Sequence, residues 1–313
     1  MLSRGKNTKC VEKMRDCADL STSQVISASR RTDIPAFYSE WFMRRIREGF
    51  ARYRNPFGGQ IYEVSLRPDD VMAFVFWSRN YAPLRPYLPE LDAYGYGAYF
   101  HGTLNDYGLP FEPNAPPTAR VIESFHALAQ RYSPRHLIWR FDPILLSNAT
   151  PAGMLVEKFG GLAERLRGAT LRCVISFADF YRKVRGNLER LTKEGVRCEE
   201  PTLEGQIALV RQLVGIAGQY NIRLAACCES GLLAIDGMQQ AHCIDSRLLA
   251  DLFPTKFHQL APAPTRDGCA CFASRDIGAY DTCVHGCVYC YANSSPAKAM
   301  TRFQAHDPQQ LCL

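Results

Sequence analysis

Residues 136–143 read His136-Leu137-Ile138-Trp139-Arg140-Phe141-Asp142-Pro143, an apolar run that ends in a cluster of charge. His136–Phe141 has the β-branched and aromatic character of a strand. Outward toward the C-terminus, Pro151–Leu166 reads as a helix with proline at its start, Leu171–Phe177 as a strand, Leu203–Gln219 as a helix and Ile222–Cys228 as a strand. Toward the N-terminus come the helix Pro117–Tyr132 and the strands Ala98–Thr103, Met72–Trp77 and Ile61–Leu66. Gln24–Ser29 is a strand followed by Phe37–Gly49, where Phe37, Trp41, Phe42, Ile46 and Phe50 recur at helical spacing. Little separates Ile61–Leu66 from Met72–Trp77, so one crossover helix is expected to be missing or irregular. Ile277–Tyr280 is a weaker eighth strand, with Ala297–Phe303 helical behind it.

Strands that alternate with helices predict an α/β fold with a parallel sheet, and this number of units suits a full or partial (β/α) barrel. An open doubly wound sheet is the alternative, weakened because no glycine-rich phosphate fingerprint follows the first strand. No linker divides the chain. Residues 1–23 read as a polar tail and 24–313 as one barrel domain that includes a cysteine-rich segment, 269–293.

Polar groups gather where the strands end: Arg30, Arg31 and Asp33, then Ser78–Asn80, His101, Arg140 and Asp142, and Glu229 after Cys228. In a βα barrel those ends meet at one mouth. A charge beside a buried strand needs a partner or a ligand, so Arg30, Arg31, Asp33, Arg140, Asp142 and Glu229 are candidate catalytic or substrate-binding residues.

The composition is that of an ordinary globular chain, 47% hydrophobic and 22% charged, with a net charge of +6. That excess permits an anionic substrate. No basic stripe is visible, so nucleic acid is not the favoured partner. No apolar run reaches membrane-spanning length and residues 1–23 lack a signal-peptide core, which predicts a cytoplasmic protein with no membrane partner. Thirteen cysteines in such a chain argue for metal binding or core thiols rather than disulfides.

Eight of the thirteen crowd into residues 227–290. Cys283, Cys287 and Cys290 are spaced CxxxCxxC, a set that can hold three irons of a 4Fe–4S cluster and leave the fourth open. Zinc held by the same thiols with His285 is the competing reading. Tyr289, packed beside the third thiolate, and Gly286, which lets the loop fold over a metal, suit the cluster better. Cys228, Cys243, Cys269 and Cys271 are candidates for a second 4Fe–4S cluster, with a zinc site or plain core thiols as alternatives. Cys227 is left out, because strand alternation would turn it away from Cys228.

The motif Cys283–Asn293 (CVHGCVYCYAN) resembles the signature of the radical S-adenosylmethionine superfamily, in wording similar to spore photoproduct lyase-like members. Nearly the whole chain also resembles an uncharacterised domain-of-unknown-function family, through Ser29–Pro35, Val75–Asn80, Trp139–Ile144 and Asp276–Asn293. The superfamily resemblance implies a cluster on Cys283, Cys287 and Cys290, with S-adenosylmethionine chelating the open iron. An electron donor such as a flavodoxin or ferredoxin would drive cleavage to methionine and a 5′-deoxyadenosyl radical. The superfamily carries its motif after the first barrel strand, whereas here it follows nearly the last, and the expected GGE-type stretch is absent. A circular permutation reconciles the two: Ile277–Tyr280 takes the part of the first strand and Gln24–Ser29 lies beside it. Asp33 would then receive the amino group and Arg30 or Arg31 the carboxylate, with Tyr289 also at the cofactor. An electron-transfer or sensing protein without radical chemistry, and a zinc-stabilised barrel hydrolase, stay open as alternatives.

Overall fold

A computed structural model describes residues 23–313, so the polar tail, with Cys10 and Cys17, falls almost wholly outside the described residues. The chain enters its central sheet at β1 (Gln24–Ala28). β2 (Phe50–Arg54) and β3 (Ile61–Ser65) form a separate antiparallel hairpin. β4 (Val71–Ser78), β5 (Ala98–Thr103) and β6 (Leu137–Ile144) return to the sheet, and the short β7 (Leu146–Ser147) leaves it. β8 (Arg172–Phe177) is followed by β9 (Cys198–Glu199), which pairs with β7, and then by β10 (Arg223–Ala226), β11 (Gln239–Gln240) and β12 (Arg275–Asp276).

The eight-stranded sheet runs β11-β10-β8-β6-β5-β4-β1-β12, with parallel pairing at every ladder. From β1 to β11 each new strand is added on the same side, with no reversal point. Right-handed crossovers then keep the crossover helices on one face, unlike a doubly wound sheet. The side chains agree. Phe74, Phe76, Phe100, Trp139 and Phe141 share a core with Trp41, Phe42, Phe125, Phe159 and Leu213 from the crossover helices. The alternate residues Val25, Val75, Tyr99, Ile138 and Val174 face the other way, as the two-residue period of a strand requires. They pack on Ile244, Leu248 and Leu249, from a segment laid across that second face.

β12 is the last strand in sequence yet lies beside the first, with Ile26 opposite Arg275 and Ser27 opposite Asp276. The sequence reading likewise put the last strand beside the first. The strand comes two residues earlier than read from the sequence, because Ile277–Tyr280 is already loop. No ladder joins β11 to β12 among the described residues, so closure into a full barrel is not part of the observed hydrogen bonding.

The expected missing crossover is also resolved. Ile61–Ser65 belongs to the hairpin rather than to the sheet, so no helix is needed between it and β4. Gly49, at φ +80°, ends the helix Ser39–Glu48 and turns the chain into that hairpin, a backbone state that costs glycine least. Among the described residues no helix is long and apolar enough to cross a membrane.

Gly102 in β5 lies under the Phe125 ring, and a Cβ built there would sit 2.2 Å from Cζ. Gly102→Ala should therefore destabilise the fold by about 1–3 kcal/mol through overpacking. Chemical denaturation measures it; unchanged stability would show that this layer has slack.

Candidate functional site

The carboxylate of Asp276 fixes the place where β12 meets β1. Its Oδ2 accepts from Ser27 Oγ at 2.6 Å and the Arg30 amide at 2.8 Å. Its Oδ1 accepts from Ser29 Oγ at 2.7 Å and the Gly278 amide at 3.0 Å. Arg30 and Arg31 lie beside it, their Nε atoms 3.9 and 4.0 Å from its oxygens and their side chains about one-fifth exposed. Arg31 Nη1 donates to the Gly278 carbonyl at 3.4 Å and its guanidinium lies 5.6 Å from the Tyr280 ring centre. Gly278 is needed here: a Cβ would meet Ser29 Oγ at 2.1 Å.

From Gly278 the chain passes into the cysteine loop, which neighbouring segments hold at many points. Tyr38 Oη donates to the Thr282 carbonyl at 2.6 Å, and Asn293 Nδ2 to the Cys283 carbonyl at 2.6 Å. Asn114 Nδ2 donates to the Val284 carbonyl at 2.9 Å, and the Val288 amide to the Phe111 carbonyl at 3.0 Å. Gly286 takes φ +73° with Pro113 Cγ 3.2 Å from where a Cβ would stand. Asp281 caps the return of the loop, paired with Lys298 Nζ at 2.7 Å and accepting from the Ser294 amide. These contacts hold its carboxyl down at about 2 despite burial.

Asp33 is buried and both its oxygens are engaged by the chain. Oδ1 accepts from the Ala36 amide at 2.9 Å, capping the helix Ile34–Phe37; Oδ2 accepts from the Arg79 amide at 2.9 Å and lies 2.8 Å from His285 Nε2. His285 in turn packs against Phe37, ring centres 4.6 Å apart. Tyr289 is equally enclosed. Its hydroxyl accepts from Arg79 Nη2 at 2.6 Å and Asn105 Nδ2 at 3.1 Å, and it donates to Glu112. Arg79 Nη1 reaches Glu112 Oε1 at 2.9 Å, an ion pair with both side chains nearly inaccessible. Sequence reasoning did not single out Arg79, Glu112 or Asn105. Arg79 stood in a flagged strand end, but Glu112 and Asn105 lie in a long loop without periodic pattern.

The thiols of Cys283, Cys287 and Cys290 are only partly accessible. Burial pushes all three up, Cys287 to about 12, and neighbouring thiols add to the rise at Cys283 and Cys287. Asp33 raises Cys283 further, whereas Arg79 opposes the shift at Cys287 and Cys290. The sulfurs are thus close enough to feel one another's charge. Yet among the described residues no three His, Cys, Asp or Glu side chains are gathered to hold a single ion. A tetrahedral zinc at about 2.3 Å from each sulfur would bring thiolates within about 3.8 Å of one another. A polynuclear cluster carries its ligands on different irons and asks for a wider spread.

Across the mouth, Arg140 leaves β6, pairs with Asp142 and points Nη1 at Cys243 Sγ, 3.1 Å away. Asp142 also accepts from Ser176 Oγ, and its amide donates to Asn105 Oδ1 at 2.9 Å. Glu229 Oε1 accepts from the Phe177 amide at 2.9 Å, and burial raises its carboxyl. Arg140, Asp142 and Glu229 therefore stand together, while Arg30 and Arg31 stand at β12. Tyr291 spans toward them, its hydroxyl 2.5 Å from the Arg30 carbonyl.

The remaining thiols overturn one expectation. Cys227 Sγ lies 3.8 Å from Cys228 Sγ and 3.9 Å from Cys243 Sγ. β10 ends at Ala226 and Cys228 takes φ +63°, so strand alternation does not apply to this pair. Cys271 Sγ accepts from the Cys243 amide at 3.2 Å, and Cys269 follows on the same loop, with Thr265 Oγ1 3.6 Å from its sulfur.

The chain belongs to the family described as domain of unknown function DUF1848, whose model matches residues 25–292. No curated protein and no solved structure matches it.

Two outcomes follow from the buried charges. Glu112→Ala should cost about 3–5 kcal/mol by stranding Arg79, and Arg79→Met combined with it should cost much less than the sum of the two single changes. Additive losses in a double-mutant cycle would show the pair to be uncoupled. For Asp281 the folded carboxyl titrates below its unfolded value, so its stabilisation is complete above about pH 5 and fades as pH falls toward 2. The stability gap between wild type and Asp281→Asn, about 1–2 kcal/mol at neutral pH, should close over that range. A gap that persists at pH 2 would assign it to something other than ionisation.

Proposed function

We propose that this DUF1848 chain is an iron–sulfur enzyme of the radical S-adenosylmethionine type, with Cys283, Cys287 and Cys290 as ligands of a 4Fe–4S cluster. One observation carries the reading: the three thiols sit on a loop entered from β12, and β12 is paired beside β1 at the edge of a parallel sheet. That is the position a motif following the first strand would take after circular permutation. Bound there, cluster and S-adenosylmethionine would supply a one-electron reductive cleavage.

The chain's own groups take supporting parts in this proposal. Asp33, with both oxygens engaged, orients His285 rather than receiving the cofactor amine. Arg79 places positive charge beside Cys287 and Cys290, favouring their deprotonated, metal-binding forms. Glu112 and Tyr289 hold that guanidinium in place, so Tyr289 serves the cofactor through Arg79. Arg30 and Arg31 are left partly open at the mouth, where a carboxylate can reach them. Arg140, Asp142 and Glu229 form the opposite wall and offer a fixed cation, a carboxylate and a carboxyl of raised pKa to a substrate.

Anaerobically reconstituted protein, reduced in the presence of S-adenosylmethionine, should release 5′-deoxyadenosine, and Cys287→Ala should abolish the release. Bound iron without that product would instead favour the electron-transfer reading. A colourless zinc protein would favour the barrel hydrolase.

A further inference from the structure

We infer that the nest of five thiols on the far side of the mouth is a second metal centre, an iron–sulfur cluster ligated by Cys228, Cys243, Cys269 and Cys271, with Cys227 packed among them. The observations are separate from those at Cys283–Cys290, so the inference does not rest on the function proposed above.

The first is convergence. The five cysteines come from three segments: the end of β10, the stretch after β11, and the loop before β12. Cys227 bridges Cys228 and Cys243 at 3.8 and 3.9 Å, and Cys271 Sγ accepts from the Cys243 amide. All five are free thiols. Packing alone gives no reason for the chain to bring three segments together through sulfur, since a buried thiol behaves as a small hydrophobe that any neighbour satisfies.

The second is charge. Arg140 Nη1 points at Cys243 Sγ from 3.1 Å and Arg266 Nε at Cys228 Sγ from 3.0 Å. Arg140 is almost wholly buried. A guanidinium aimed at a neutral thiol gains little, whereas one aimed at a thiolate gains a charge-assisted bond. The two arginines thus fit a centre whose sulfurs carry negative charge. Such a centre forms when the ligating thiols release their protons to a metal.

The third is an orphan donor–acceptor. His101 is fully buried and lies with Nε2 2.8 Å from the Cys243 carbonyl, yet its Nδ1 has no partner. A buried polar atom left unpaired beside a thiol nest is unusual in a finished core.

The arrangement selects the class of ligand. The sulfurs form a string, Cys228 to Cys227 to Cys243, with Cys271 beyond, so that Cys227 stands between two of the four proposed ligands. No three side chains are set to share one ion among the described residues. A mononuclear zinc would require that convergence, while a cluster distributes its ligands over several irons. Access is available as well: Cys269 and Cys271 come from a loop whose residues 264–268 are exposed.

Iron and acid-labile sulfide, counted on the full chain after anaerobic reconstitution, test the inference. Wild type should bind about eight irons and the Cys283→Ala/Cys287→Ala/Cys290→Ala variant about four, the content of two clusters and of one. Cys228→Ala/Cys243→Ala should also fall to about four. Because that variant can fail to fold, the triple variant decides. If it keeps its circular dichroism but binds less than about one iron, the second centre is refuted. About one zinc in place of iron would equally overturn the cluster assignment. If wild type and the triple variant both bind about four irons, this inference stands and the site proposed at Cys283–Cys290 fails.

Discussion

The structure around the mouth depends on one carboxylate. Asp276 is nearly inaccessible and accepts four hydrogen bonds, from two serine hydroxyls of the β1 end and from two backbone amides on either side of the junction. β12 offers only two residues to the sheet, too few for its ladder alone to hold it. The side chain supplies what the short ladder lacks. It also neutralises a place where Arg30 and Arg31 would otherwise crowd two positive charges. The loop that carries the three thiols of the CxxxCxxC motif starts from this anchor, and Tyr38, Asn114 and Phe111 hold it further along.

A second constraint is the segregation of the two sheet faces. The helix-covered face is filled with aromatic rings, Trp139 stacked on Phe159 at 4.7 Å among them. The opposite face is apolar toward its middle and changes to Ser27, His101, Arg140, Asp142 and Ser176 toward the strand ends. The segment carrying Ile244, Leu248 and Leu249 fills the lower part of that face, where Tyr99 Oη donates to the Cys243 carbonyl at 2.7 Å. One short stretch therefore plugs the sheet and places Cys243. Asn105 joins the two sides of the mouth. Its amide nitrogen reaches Tyr289 and Glu112, and its oxygen receives the Asp142 amide. The cysteine loop and the Arg140–Asp142 pair are thereby parts of one hydrogen-bonded network.

What could be read from the sequence follows the range of the interactions involved. The strands of the sheet announce themselves through short apolar runs, and β6 closes on Arg140 and Asp142 in the way the HLIWRFDP stretch implied. The grouping of Arg140, Asp142 and Glu229 is legible for the same reason, since parallel strands put their ends together. Ile61–Ser65 reads like a sheet strand because a hairpin strand and a sheet strand share one local pattern and differ only in their partner. Cys227 departs from the expected orientation because alternation holds only while the strand continues, and β10 stops one residue before it. Glu112 was invisible. Its role comes from the fold of a loop that presents it to Arg79 across more than thirty residues of chain, and no periodicity encodes such a contact.

The arginines show how these parts are connected electrostatically. Removing a guanidinium from water is costly unless negative groups replace the lost hydration. The buried Arg79 has Glu112 as its carboxylate and Arg140 has Asp142, while the exposed Arg266 pairs with Asp179 at the surface. Each of the three also stands beside cysteine sulfur: Arg79 near Cys287, Arg140 on Cys243, Arg266 on Cys228. If carboxylate compensation were the whole purpose, the arginines would have no reason to share one kind of second neighbour. Each guanidinium instead joins a carboxylate to a sulfur, so that its position is fixed from one side while its charge acts on the other. A guanidinium so placed favours the thiolate over the thiol, most directly at Cys243 and Cys228, whose sulfurs accept from Arg140 at 3.1 Å and Arg266 at 3.0 Å.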